Sequence, residues 1–304
     1  MIVLNSEKEL IKVENWEDIL DRPGYTDELD PNTHTLNEII GRYAFRDKIR
    51  CGLTNCHTPH AKGYLVVTKD GSETNIGKDC GHTYFGVDFD TLSAKFDRDI
   101  TEKENRDKLW SFTFRLEELR TQIDTLRKQA KGADWIYHNS KSLVGPGNHL
   151  PPEIVRRIAS MAKSRQPILF TQREATAKEV ESLEVMQGRK VSLPHYLDEP
   201  IAEIAGLDSL YPENNLRDLL VIELEEQIKT FDEEDIDSMS YERLRKWAKW
   251  IGTIDGTLER ASKVIESGRR LLNSENLQPL ETILRDKGDI ALFRKYLKLL
   301  ERET

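Results

Sequence analysis

The chain has 304 residues, 38% of them hydrophobic and 33% charged, with a formal net charge of −9. That length supports two or three modules and a sizeable core, and no apolar run approaches the roughly 18 residues a membrane span requires. The acidic total argues against tight nonspecific coating of nucleic acid, an affinity that comes mainly from neutralising phosphates, and the opening residues lack the basic start and apolar stretch of a secretion signal, so a cytoplasmic protein is expected.

Residues 1–46 read as a small mixed lead-in. Asn15 to Leu20 predicts a short helix closed by Arg22-Pro23-Gly24, and Leu36 to Tyr43 a second one after the turn residues Asp30-Pro31-Asn32-Thr33. Trp16 and Tyr43 are expected to pack on the next element.

Residues 51–85 concentrate the soft metal ligands. All three cysteines (Cys51, Cys56, Cys80) and three of the seven histidines (His57, His60, His82) fall between positions 51 and 82. Gly63 to Thr68 and Ser72 to Ile76 flank Asp70-Gly71, a strong hairpin signal. A hairpin with one ligand cluster before it and another after it is the plan of a zinc ribbon, and tetrahedral zinc favours Cys and His. The predicted ligands are Cys51, Cys56, His60 and Cys80, with His82 as runner-up if Gly81 turns the chain. His60 is preferred to His57 because a three-residue gap after Cys56 lets a knuckle fold back. Three cysteines leave one unpaired, so a disulfide framework is disfavoured. At least four ligand candidates, and no His-Glu-x-x-His or His-x-Glu setting, point to one structural rather than catalytic zinc.

Thr58-Pro59-His60, Ile76-Gly77-Lys78-Asp79-Cys80-Gly81 and Tyr84-Phe85-Gly86 carry a resemblance. Residues 48–90 resemble the small Cys/Cys/His/Cys domain, with its Ile-Gly-x-x-Cys-Gly-x-x-x-Phe-Gly ending, of uncharacterised bacteriophage and prophage proteins. The resemblance covers under a sixth of the chain; it implies a mobile-element origin and a bound metal, and no reaction.

Beyond the hairpin the reading is helical. Leu109, Phe112, Leu116, Leu119, Ile123, Leu126 and Ala130 alternate gaps of three and four, predicting one unbroken helix over 99–131 with a coiled-coil or bundle seam. Leu143 to Asn148, with Gly145-Pro146-Gly147, marks a boundary. Pro151-Pro152 opens a helix carrying Ile154, Ile158 and Met161. Another helix is predicted over 171–187 with Thr171 as its cap, then a loop over 188–195. A helix spans Leu216 to Phe231, and a last long one runs from Ser240 to about Leu272 on the seam Leu244, Trp247, Ile251, Ile254, Leu258, Ala261, Ile265, with a break expected near 252–256. Helices over 276–287 and 289–302 close the chain. The expected fold class is therefore mostly α with a small β element: an N-terminal mixed domain with a zinc-stapled β-hairpin (1–98), a long helix (99–142), and a C-terminal helical bundle (150–304).

Residues 198–239 hold 14 acidic against 2 basic side chains, and residues 240–272 hold 8 basic against 4 acidic. Tyr241 to Trp250 interleaves cations with indoles, making Arg245, Lys246, Lys249 and Trp250 the candidate nucleic-acid or partner-binding residues; the plainer reading puts Trp247 in the core and the cations on a solvated face. Asp232 to Asp237 lacks the glycine pivot and distal glutamate of a calcium loop and reads as a solvated turn. No nucleophile motif or phosphate loop is present. The expected function is a non-enzymatic, zinc-binding interaction protein of phage or prophage type, an adaptor or inhibitor of a host protein machine. The host or phage partner would be a protein, with no membrane involvement and a homodimer through the heptad helices as a further possibility. A nucleic-acid-binding module using the zinc hairpin and the basic helix 240–272 is the alternative, and a zinc hydrolase the third.

Overall fold

The computed structural model describes residues 2–5, 10–145 and 150–302. The expected boundary residues Pro146 to Asn148 lie outside that range, as does His149. Of the chain, 57% is helical and 19% strand, with a five-stranded antiparallel sheet near the N-terminus and a helical C-terminal region. Among the described residues no helix is long and apolar enough to cross a membrane. The chain divides into two compact units: residues 1–112 with 235–248, and residues 113–234 with 249–304.

The first unit is built on a sheet of order β2-β1-β3-β4-β5, with β1 at Ile2–Asn5, β2 at Leu10–Val13, β3 at Leu36–Arg50, β4 at Pro59–Thr68 and β5 at Glu73–Ile76. A four-residue helix α1, Glu17–Leu20, lies between β2 and β3. The expected hairpin is present: Tyr64 to Val67 of β4 pair with Ile76 to Glu73 of β5 across the Asp70-Gly71 turn. It is not free-standing, because β3 pairs along almost the whole of β4.

The predicted helix over Leu36 to Tyr43 is instead strand. Leu36, Ile39 and Tyr43 are all buried, and their three- and four-residue gaps imitate a helical stripe. The spacing arises because β3 and β4 shift register between Leu36 and Glu38 and again between Ile39 and Gly41. Each irregularity interrupts the two-residue alternation of a strand.

Alternate residues feed two cores, one on each face of the sheet. Ile2, Leu4, Tyr43 and Leu65 pack with Ile19 of α1 and with Trp16 and Phe45. Trp16 and Tyr43 meet edge-on at 5.2 Å between ring centroids and share their core with Leu65 of the β4–β5 hairpin. On the other face Val3, Ile39, Val66 and Ile76 pack with Phe89, Phe96 and Ile100. Those three belong to α2, Lys78–Thr113, which bends at Gly86. Residues 235–248 complete the unit by touching the far half of α2. Trp110 Nε1 donates to Asp237, Lys108 Nζ to the Ala248 carbonyl, and the Arg98 guanidinium sits 4.9 Å above the Tyr241 ring.

The second unit holds α3 (Leu116–Lys128), α4 (Ala133–Val144) and α5 (Pro152–Ser164), then strand β6 (Ile168–Glu174), α6 (Ala177–Gln187) and strand β7 (Tyr196–Glu203). A wide-wound helical stretch, Asp218–Glu225, continues into α7 (Glu226–Asp232). After α8 (Tyr241–Ile251), which straddles the division between the units, come α9 (Ile254–Leu271), α10 (Ser274–Leu277) and α11 (Lys287–Arg302). The predicted α5 face of Ile154, Ile158 and Met161 is buried. The break expected near 252–256 falls between α8 and α9.

Two further helical expectations change. The helix over 99–131 is two helices, α2 and α3, separated at Phe114 and Arg115. Its seam is buried within the chain through Leu109, Phe112, Leu116, Leu119 and Ile123, while Ala130 is exposed. The helix over 171–187 starts only at Ala177. Its cap is Thr176, whose backbone N–H and hydroxyl both donate to Glu179, a capping box that outcompetes Thr171. Thr171 belongs to β6, which pairs antiparallel with β7; residues 196–203 are thus strand. Pro200 and the acidic residues of β7 hide it, since such residues are depleted in strands.

Candidate metal centre

Three segments meet at the end of the sheet. Cys51 directly follows β3, Cys56 lies in the loop that leads to β4, and Cys80 stands in the first turn of α2. The loop is held by backbone bonds: Cys51 N–H to the Thr58 carbonyl (3.2 Å), Cys56 N–H to the Leu53 carbonyl (3.1 Å) and Gly52 N–H to the Asn75 carbonyl of β5 (2.9 Å). Leu53 is fully buried and anchors the loop in the α2-side core. From the helix, the Tyr84 hydroxyl donates to the Asn55 carbonyl at 2.8 Å and ties α2 to the loop.

The three thiol sulfurs lie within 4.8 Å of one another, and the Cys56 and Cys80 sulfurs are 3.2 Å apart. No disulfide joins them. Burial pushes the Cys51 thiol up, while backbone N–H groups of Leu53 and Gly77 favour its thiolate. Burial acts likewise on Cys56, but hydrogen bonds from the Thr58 side chain and backbone, with those from Cys80 and Cys51, bring it below the ordinary thiol range. Cys80 is pushed up to about 12, by burial first and then by its S–H interaction with Cys56. Of the three thiols Cys56 is thus the one whose deprotonation its neighbours favour, and three soft donors this close suit a soft cation.

Cys80, the ligand predicted after the hairpin, stands on a helix. Its neighbour Gly77 is a close-approach site. A Cβ there would meet His60 Cδ2 at 2.7 Å and Nε2 at 3.2 Å, so the imidazole of β4 lies directly against the backbone leading to Cys80.

His60 is not brought into the 4.8 Å cluster, whose members are the three cysteines. Its Nδ1 is 3.0 Å from the Tyr43 hydroxyl. Its Nε2 is buried and has no hydrogen-bond partner, the one such side-chain nitrogen or oxygen among the described residues. Burial keeps the ring neutral by lowering its pKa. His82, the runner-up, is turned away: its Nδ1 pairs with Asp90 at 2.7 Å and its side chain is 66% exposed. His57 takes a left-handed φ of 52° and sets Nε2 3.5 Å from Glu28.

Comparison with family models, curated proteins and solved structures finds no match to this chain.

The second set of candidate residues lies on α8, where Arg245, Lys246 and Lys249 are exposed and Trp250 is half-buried. Arg245 pairs with Glu242 at 3.6 Å and sits 5.6 Å from the Tyr241 ring centroid. Trp250 Nε1 donates to the Glu223 carbonyl at 3.0 Å, and its ring lies 6.3 Å from Phe231. Arg245 and Lys246 belong to the first unit, Lys249 and Trp250 to the second. Sequence reasoning gave Thr58, Gly77 and Tyr84 no role beside the thiols, although all three stand in the segments that carry the resemblance.

Proposed function

We propose that this is a non-enzymatic binding protein whose N-terminal sheet is stapled by one structural zinc ion. The reading is carried by a single observation: three thiols from three separate segments converge within 4.8 Å at a point where their backbone is already fixed. Cys51, Cys56 and Cys80 supply three ligands, and His60 the fourth. His60 is supported by the pattern expected of a ligating histidine, one ring nitrogen held by a second partner and the other left to the metal: Nδ1 faces Tyr43, and Nε2 has no partner to lose. A closed set of four protein ligands leaves no position for activated water, which favours a structural over a hydrolytic role.

The activity we propose is engagement of a host or phage protein as an adaptor or inhibitor, in line with the acidic total and the resemblance of residues 48–90 to phage-type domains. The alternative, a nucleic-acid-binding module using the zinc hairpin and helix 240–272, would have to work with Trp250 Nε1 already donating to the Glu223 carbonyl.

The test is metal content by mass spectrometry on purified protein, beside affinity capture from host lysate with and without nuclease. Zinc at about one per chain, lost in Cys56→Ser and Cys80→Ser and weakened in His60→Ala, is the expected result. Absence of zinc from the natural chain sinks the staple. A single stoichiometric protein that survives nuclease supports the adaptor, and loss of all captured material on nuclease treatment overturns it.

A further inference from the structure

A cleft of about 440 Å³ opens on the first unit, lined by Arg42 and Ala44 of β3, Lys62 and Tyr64 of β4, Lys78 at the start of α2, and Asp97. The strand register creates it. Arg42 stands opposite Tyr64 and Ala44 opposite Lys62, so these side chains share one face of the sheet, and the short Ala44 leaves the space between the longer ones open. Lys78 enters from the helix that packs on that face.

The lining carries three cations against one carboxylate, in a chain whose net charge is −9. The carboxylate is already engaged: Asp97 accepts from the Tyr64 hydroxyl at 2.7 Å and faces Arg42 at 3.5 Å. Arg42 is held in turn by Glu104 at 3.1 Å. Lys62 and Lys78 differ from Arg42, because both are exposed at the mouth of the cleft and neither makes an ion pair among the described residues. Two ammonium groups from different elements therefore face the same concave space without a counter-charge. Exposed Arg46 and Lys48 continue the positive character along β3, interrupted by Asp47. By contrast, the larger cavity at Arg120 and Lys229 is lined by Asp124, Glu225 and Asp232, which outnumber its cations.

We propose that this cleft binds a phosphoryl group through Lys62 and Lys78, with Arg42 and Tyr64 as its fixed wall. Two lysines offer up to six donor protons to phosphate oxygens, and the volume is in the range of small-ligand sites. The same chemistry could arrive as a free phosphorylated small molecule or as the backbone of a nucleic-acid strand. The inference stands apart from the zinc reading, since none of the proposed ligands contributes to the cleft.

The test uses the full chain with two probes at low salt: a fluorescently labelled 20-nucleotide single-stranded DNA followed by anisotropy, and inorganic pyrophosphate followed by calorimetry. Lys62→Ala/Lys78→Ala is compared with the natural chain and with a control of equal charge change, Lys295→Ala/Lys298→Ala, in the second unit. The expected result is binding of at least one probe that falls about tenfold or more in the first double variant and stays unchanged in the control. For the strand, the dependence on salt also loses about one to two phosphate contacts. Binding of DNA with a steep salt slope identifies the strand as the source, and binding of pyrophosphate alone identifies a small ligand. Failure of both probes to bind the natural chain overturns the proposal, as does equal loss in both double variants. Unchanged thermal melts keep the comparison free of folding effects, and measured zinc content separates failure here from failure of the staple.

Discussion

Cys80 and the glycines beside it join the metal centre to the core. Gly81 follows Cys80 in the first turn of α2, and a Cβ at that position would meet three ring atoms of Phe89 at 2.4–2.5 Å. Phe89 is fully buried against the sheet, so its ring has little room to yield. Gly81→Ala is expected to destabilise the chain by about 1–3 kcal/mol, the usual cost of overpacking a filled core, read as a lowered denaturant midpoint. The same change should weaken zinc binding, because Cys80 is carried on the backbone that must shift. An unchanged midpoint would show that the bend at Gly86 lets Gly81 and Phe89 move apart without cost.

At the scale of one element, α6 has an electrostatic anchor that pH can release. The Glu179 carboxyl is held far below the usual carboxylate range, first by the Arg173 guanidinium of β6 and then by the Thr176 N–H and hydroxyl. A carboxyl depressed in the folded state adds stability above its unfolded pKa, about 4.3, and loses it as pH falls through the folded value. Glu179→Gln is therefore expected to melt below the natural chain at pH 7, with the gap narrowing as pH is lowered from about 5 toward 2. A gap of constant size would mean that the hydrogen bonds, not the charge, hold the helix start. The same element shows why periodicity does not separate the strand from the helix over residues 168–187. A strand of only seven residues next to a helix with a strong cap blurs into one apolar segment, and only the pairing of Ile168 to Glu174 with Tyr196 to Glu203 separates them.

For the molecule as a whole, the division into units does not follow the order of the chain. The first unit recruits residues 235–248 from far along the sequence, and within that segment Leu244 is fully buried and Trp247 is 3% exposed. Trp247→Ala is expected to cost about 3–5 kcal/mol, as for other buried aromatic truncations, whereas a surface role for that indole predicts a change within about 0.5 kcal/mol. A fragment of residues 1–112 should melt well below the full chain, because the partners of Arg98, Lys108 and Trp110 are absent from it. A fragment as stable as the parent would make 235–248 an ornament.

The sequence by itself determined the parts governed by local chemistry. The Asp70-Gly71 turn fixed the β4–β5 hairpin, helical periodicity located α5 and α9, and the crowding of Cys51, Cys56 and Cys80 foretold their convergence. Those signals survive because a turn type, a helical stripe or a soft-ligand cluster is encoded by neighbours in sequence. Tertiary structure alone decided the rest. Register irregularities in β3 turned an apparent helical stripe into a central strand, and the start of α2 at Lys78, not near residue 99, put Cys80 on a helix. Pairing of β3 with β4 set Arg42 and Lys62 around one cleft, and long-range packing drew residues 235–248 into the N-terminal unit. These outcomes depend on which segments meet across tens or hundreds of residues, and periodicity within a window carries no information about that.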